Sequence, residues 1–229
     1  TYRLSYSYYG SEPYLRNGYY STTGTQWRSN LASLLPGGIT HNNLDLTLLT
    51  GSTLRGVVAL PDDQPPAAGD MYIDVSADNV NGSGNGYGTA IILAGNKSGV
   101  YTISVPPDTN ASWRVNYYNW DWYWGDSVYY YEGYYNTSGT QWRSDLASLL
   151  TGGVDYDNLN MTLLTKGIIS GTITLPSNQV APAGGLEVSI SAEDVSTDGY
   201  GYGGTSVTIA EGQNSVDYTL GVPPNPNAS

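Results

Sequence analysis

Apolar and polar positions alternate with a period of two along much of the chain. Met71 to Ala77 (MYIDVSA) and Leu186 to Ala192 (LEVSISA) show it most cleanly. Such alternation sends successive side chains to opposite faces of an extended strand. Leu54 to Leu60 (LRGVVAL) and Ile168 to Leu175 (IISGTITL) are runs rich in β-branched residues, closed by Pro61 and Pro176. Thr89 to Leu93, Gly99 to Val105, Thr205 to Ile209 and Val216 to Val222 read the same way. Gly/Asn/Asp clusters separate them, as in Asn81-Gly82-Ser83-Gly84-Asn85-Gly86 and Asp198-Gly199-Tyr200-Gly201. Strands of about five to eight residues with turns every 8–12 predict an all-β chain built as a β-sandwich. One stretch departs from the pattern. Gln26 to Leu35 and Gln141 to Leu150 predict a short crossover helix, with Thr25 and Thr140 as N-caps and Gly37 and Gly152 near its end.

Those two helical stretches belong to an internal repeat. Gly18-Tyr19-Tyr20-Ser21-Thr22-Thr23-Gly24-Thr25-Gln26-Trp27-Arg28-Ser29 returns as Gly133-Tyr134-Tyr135-Asn136-Thr137-Ser138-Gly139-Thr140-Gln141-Trp142-Arg143-Ser144, an offset of 115. Leu60-Pro61 returns at the same offset of 115, and Val105-Pro106-Pro107 returns at 117 as Val222-Pro223-Pro224. Tyr2-Arg3-Leu4 matches Trp113-Arg114-Val115, so the sequence repeat runs 1–112 and 113–229.

The unit resembles a known family. Ser52-Thr53-Leu54-Arg55-Gly56-Val57-Val58-Ala59-Leu60-Pro61 opens a strand, and the loop Pro65-Pro66-Ala67-Ala68-Gly69 follows. An alternating strand then leads to Gly99-Val100-Tyr101-Thr102-Ile103-Ser104-Val105-Pro106-Pro107 and to an aromatic strand. Asn158-Leu159-Asn160-Met161-Thr162-Leu163 closes the unit, as Asn43-Leu44-Asp45-Leu46-Thr47-Leu48 does in the first copy. This looks like the carboxypeptidase regulatory-like (transthyretin-like, Ig-like) β-sandwich that occurs in tandem on bacterial surface proteins. The resemblance implies a structural or adhesive module without catalytic residues. It also cuts the chain in an unexpected register: 51–165 reads as a complete module, 1–50 as the C-terminal half of one, and 166–229 as the N-terminal half of another. Half a sandwich leaves its inner face wet and its strand edges unpaired. Completion of the halves by a neighbouring chain or repeat is therefore expected, in an open head-to-tail arrangement.

Composition narrows the function classes. The 229 residues include no Cys, one His, 22 Tyr, six Trp and 29 Gly, with a net charge of −12. Without Cys there is no disulfide framework and no thiolate nucleophile or zinc ligand. So acidic a chain is not expected to hold nucleic acid, whose affinity comes from phosphate neutralisation. No run of about 18 apolar residues exists, so no membrane span is expected. The opening Thr1-Tyr2-Arg3 reads as a mature or excised segment. A polar, aromatic, Cys-free composition points to an extracellular or cell-surface location on a prokaryote.

Catalytic constellations are not apparent. His41, the sole imidazole, is replaced by Tyr156 in the second copy, and no Gly-x-Ser-x-Gly elbow surrounds a serine. Asp62-Asp63, Glu193-Asp194 and Asp155/Asp157 read as solvated turns rather than a glycosidase pair. No enzyme activity, metal site or cofactor is expected. Calcium alone is kept as a candidate cofactor, at the oxygen-rich loops 74–81 and 193–198, although neither fits D-x-[DN]-x-[DN]-G. Lys97 and Lys166 are the two lysines open to an isopeptide bond, and the repeat does not preserve them.

The aromatic run needs a reason of its own. From Trp113 to Tyr135, 12 of 23 residues are aromatic. Alternation puts Val115 and Tyr117 on an inner face, with Leu4 and Tyr6 beside them in the first copy. Arg114, Asn116, Tyr118, Trp120, Trp122 and Trp124 then fall on the outer face. An exposed Tyr/Trp strip marks contact with something. Tyr118, Trp120, Trp122 and Trp124 are thus candidate contacts to a neighbouring subunit or to a polysaccharide. Burial under glycan or an unusually Tyr-rich core remains open. Glycosylation candidates are Asn81, Asn96, Asn110, Asn136, Asn160 and Asn227, of which Asn110 and Asn227 recur in the repeat. The expected role is a structural extracellular repeat protein forming a stalk, fibre or head-to-tail filament. Its partner would be itself, and the alternative is a carbohydrate-binding or adhesin module.

Overall fold

A computed structural model describes residues 1–8, 14–119, 129, 132–195 and 202–224. The chain is all-β, and among the described residues no helix reaches seven residues. Nor is any helix long and apolar enough to cross a membrane.

Two sheets form the centre. One runs β10 (Met161–Thr162), β3 (Ser52–Ala59), β6 (Ser98–Val105), with β3–β6 antiparallel and β10–β3 parallel. The other runs β5 (Asn85–Ile92), β4 (Met71–Asn79), β7 (Ser112–Asn119), β8 (Glu132–Tyr134), with β9 (Leu149–Thr151) also on β7. Their alternate residues share one apolar cluster whose members all lie between Leu54 and Leu163. Ile73, Val75 and Ala77 of β4 meet Trp113, Val115 and Tyr117 of β7 in the same cluster as Leu54, Val58, Ile103 and Val105. All are fully buried, as a period of two dictates for strands covered on one face.

The flanking segments fold as shorter sheets. β1 (Ser5–Ser7) pairs with β2 (Asn17–Tyr19) near the start of the chain. Towards the other end, β11 (Gly167–Thr174) pairs with β14 (Ser215–Val222), and β12 (Leu186–Glu193) with β13 (Tyr202–Ile209). These pairings repeat β3–β6 and β4–β5 strand for strand.

The expected crossover helix is not there. Gln26 to Leu35 and Gln141 to Leu150 contain only single 3-10 turns, Ser29–Leu31 and Ser144–Leu146. Both ends of each stretch are tied into extended pairing. The Tyr19 N–H donates to the Gln26 carbonyl (2.7 Å) and the Tyr2 N–H to the Leu35 carbonyl (2.8 Å). Gln141 is held likewise by Tyr134 (2.7 Å), and Leu150 pairs with Trp113. Too few residues remain between the pinned ends for a helix. Thr25 and Thr140 do not cap it either. Their hydroxyls accept the N–H groups of Thr47 (2.8 Å) and Thr162 (2.7 Å), one bond made twice.

Other side-chain bonds recur in the same way. The Tyr6 hydroxyl accepts the Leu49 N–H (2.9 Å), and the Tyr117 hydroxyl accepts the Leu164 N–H (2.8 Å). Asn43 and Asn158 adopt the same left-handed conformation, with φ of 58° and 63°. Asparagine tolerates that region because its short polar side chain bonds locally. These bonds and bends are therefore set locally in both copies, although β9 and β10 have no strand counterpart at 34–36 and 46–47.

Candidate functional site

Of the expected aromatic strip, Tyr118 lies among the described residues, while Trp120, Trp122 and Trp124 lie outside them. β7 places Tyr118 opposite Asp74 on one side and Glu132 on the other. Burial raises its phenol pKa first, and the Glu132 charge adds to the rise. Glu132 also accepts the Tyr134 hydroxyl and, at 3.5 Å, the Asn116 amide. Tyr134 is raised in turn, by burial and then by that bond to Glu132. The Arg114 guanidinium lies 5.7 Å from the Tyr134 ring centre. Asn116, expected on an open face, is buried there, its Oδ1 accepting the Ser76 hydroxyl at 2.8 Å. The outer side of β7 thus carries a partly covered polar cluster around Glu132. Periodicity within β7 could not reveal it, because Glu132 and Tyr134 arrive from the next strand, β8. The signal available was the one glutamate of the aromatic run, set between Tyr131 and Gly133-Tyr134. Tyr72 and Tyr87 continue the same sheet outward as exposed rings.

The other candidates are dispersed. His41 donates its Nε2 hydrogen to the Pro36 carbonyl (2.9 Å). Asp155 Oδ1 accepts the Thr53 N–H (2.6 Å), which makes it a tie between segments. Asp157 faces Arg55 at 3.8 Å with both side chains mostly in water. Lys97 donates to the Asp62 carbonyl (2.9 Å), and Asp74 accepts the Thr89 hydroxyl (3.2 Å). Among the described residues no three His, Asp or Glu side chains gather as metal ligands. Asn81, Asn96, Asn110 and Asn160 are exposed. Asn136 is half-buried, donating to the Leu146 carbonyl (2.5 Å) and accepting the Ser138 N–H (2.8 Å). Asn227 lies outside the described residues.

Equivalent positions of the repeat differ sharply in burial among the described residues. Trp113 is fully buried, whereas its counterpart Tyr2 is 67% exposed. Leu163 is 1% exposed and its counterpart Leu48 42%. Leu54 is 0% exposed and its counterpart Ile169 42%. Leu4 and Tyr6 are half-covered where Val115 and Tyr117 are sealed, as are Val188 and Ile190 beside Ile73 and Val75. In sequence, residues 2–50 repeat the segment 113–165 that closes the central core, and residues 166–222 repeat the segment 51–105. Each large apolar side chain left half open forgoes part of the about 1.5–3 kcal/mol that full burial supplies.

The first segment is also seated on the centre. Arg28 Nη2 bonds Asp108 Oδ2 at 2.6 Å, and Arg28 Cζ lies 4.1 Å from the Trp27 ring centre. Leu15 is buried, and Tyr14 bridges to Thr50 as Tyr129 does to Thr165. A cleft of about 840 Å³ opens beside this contact, lined by Tyr19, Trp27, Arg28, Asn85 and Tyr87 among others. In the second copy Arg143 turns to Asp145 instead (2.5 Å), where the first copy has Asn30. That bond holds the Asp145 carboxyl below its ordinary pKa.

No protein-family model, no curated protein and no solved structure shows a significant match to the chain.

Proposed function

We propose that the protein is a structural, self-associating repeat protein of a prokaryotic cell surface. In this reading it consists of tandem transthyretin-like or Ig-like β-sandwich modules in a stalk, fibre or head-to-tail filament. One observation carries it: the same repeated side chains are sealed in the middle of the chain and open at both flanks. The sequence resemblance to tandem surface sandwiches points the same way, as does the two-sheet arrangement around one core. The charge of −12 would keep such filaments from adhering sideways. Light scattering and negative-stain microscopy of the 229-residue chain test it. Particles that grow with concentration, and filaments with a module-length repeat, are expected. A monodisperse monomer at micromolar concentration would overturn it.

A second reading, polysaccharide binding, is favoured by the row of Tyr72, Tyr87 and Tyr118 along one sheet, next to Trp120, Trp122 and Trp124 in sequence. Aromatic faces joined to hydroxyl tips suit sugar rings. Pull-down on insoluble polysaccharides, with Tyr118→Ala and Trp122→Ala as variants, tests it. Retention that both variants abolish would support this reading, and no retention would end it.

A further inference from the structure

We infer that residues 1–50 of one copy seat on residues 166–229 of a second copy in the same strand register that closes the central core. The inference rests on the head-to-tail reading above and specifies its joint. The centre supplies the template. There β7 runs antiparallel to β4 with Val75 opposite Tyr117, Ser76 opposite Asn116 and Ala77 opposite Val115. Carried through the repeat, Tyr6 falls opposite Ile190, Ser5 opposite Ser191 and Leu4 opposite Ala192. Likewise Met161, parallel to Val58, becomes Leu46 beside Ile173. The apolar residues then meet face to face, and a slip by one residue would turn them all outward.

Two details of the flanks are already shaped for this joint. Asn43 has the left-handed conformation of Asn158, so the closing segment carries its bend in advance. Gly56 is needed in the centre because the Leu159 carbonyl crosses it, 2.2 Å from where a Cβ would stand. The Tyr101 hydroxyl donates to that same carbonyl at 2.6 Å. The repeat keeps both groups, as Gly171 and Tyr218, and among the described residues the three atoms nearest to a Cβ at Gly171 all belong to Tyr218, with no carbonyl among them. Carried through the repeat, the place that the Leu159 carbonyl takes over Gly56 falls to the Leu44 carbonyl over Gly171.

The absence of native cysteine makes the register testable by disulfide trapping. Ser5→Cys and Ser191→Cys are made in separate chains, mixed and gently oxidised. Directly opposed strand residues lie about 4.5–5.5 Å apart at Cα, within disulfide reach, whereas diagonal ones do not bridge. A linked dimer is expected from the mixture, and at least about tenfold less from Ser5→Cys mixed with Ser189→Cys. Equal yields, or linkage of Ser191→Cys chains to one another, would overturn the register. A double variant that only closes on itself, with no linked dimer from the mixture, would overturn the second copy as occupant. Gly171→Ala supplies an independent arm: the lone chain keeps its melting point while assembly weakens at least about tenfold. Unchanged assembly would count against the joint. If scattering shows filaments but neither arm behaves as stated, this joint is wrong and the filament reading stands. If no particle exceeds a monomer, the filament reading itself has failed.

Discussion

Tyr117 and Tyr6 make the same hydrogen bond in different surroundings, which allows a matched experiment. The Tyr117 hydroxyl accepts the Leu164 N–H at 2.8 Å beneath a sealed core, and the Tyr6 hydroxyl accepts the Leu49 N–H at 2.9 Å at an open flank. Tyr117→Phe leaves an amide that water reaches poorly, a loss of about 1–3 kcal/mol. Tyr6→Phe leaves an amide that water can serve, and a loss of about 0.5 kcal/mol is expected. For a unit of about 115 residues, 1 kcal/mol moves Tm by about 4 °C. Calorimetry of the dispersed chain should therefore show a fall of about 4–12 °C for Tyr117→Phe and about 2 °C for Tyr6→Phe. Under assembling conditions the Tyr6→Phe effect should grow towards that of Tyr117→Phe, because the flank is then covered. Equal shifts in the dispersed chain would refute the claim that burial separates the two bonds.

Three other perturbations follow from the same structure. Burial raises the Tyr101 and Tyr117 phenols above the unfolded value of 10.0. Both states are protonated below that value. Above it the unfolded chain releases protons that the folded chain keeps, so stability should fall by about 1.4 kcal/mol per pH unit for each ring. Urea melts between pH 9 and 12 would show this, and a flat profile would contradict it. Gly133→Ala would place a Cβ where the sealed Tyr117 ring now stands, and a cost of about 1–3 kcal/mol is expected. Gly18→Ala meets the freer Tyr6 ring in the same way and should cost less, as thermal melts of the two variants can compare. Asp108→Asn removes the charged partner of Arg28, so protease should release residues 1–50 faster, with less dependence on salt. Cleavage at the unaltered rate would show that this ion pair does not hold the segment.

Much of the local structure was legible in the residues. Period-two runs marked β4, β12 and their neighbours, and the repeat marked which pieces share a shape. Val115 and Tyr117 are inward, as alternation requires. The helix expected at Gln26 to Leu35 does not form, because capping and periodicity are local signals, while the bonds to Tyr19 and Tyr2 that pin the segment come from outside it. Asn116 is buried rather than open for a related reason. Alternation assigns a side but cannot say that Glu132 and Tyr134 cover it.

By itself the sequence determined the strands, their turns and the doubling of the unit, since each depends on residues a few positions apart. Only the tertiary structure decided which copy of each side chain is sealed and which is left open. Trp113 and Tyr2 occupy the same place in the repeat, yet one is buried and the other 67% exposed. The difference arises because β7 has β4 beside it, and nothing among the described residues covers Tyr2 in the same way. Burial is a property of the partner across the core, and a residue's own neighbours in sequence carry no record of it.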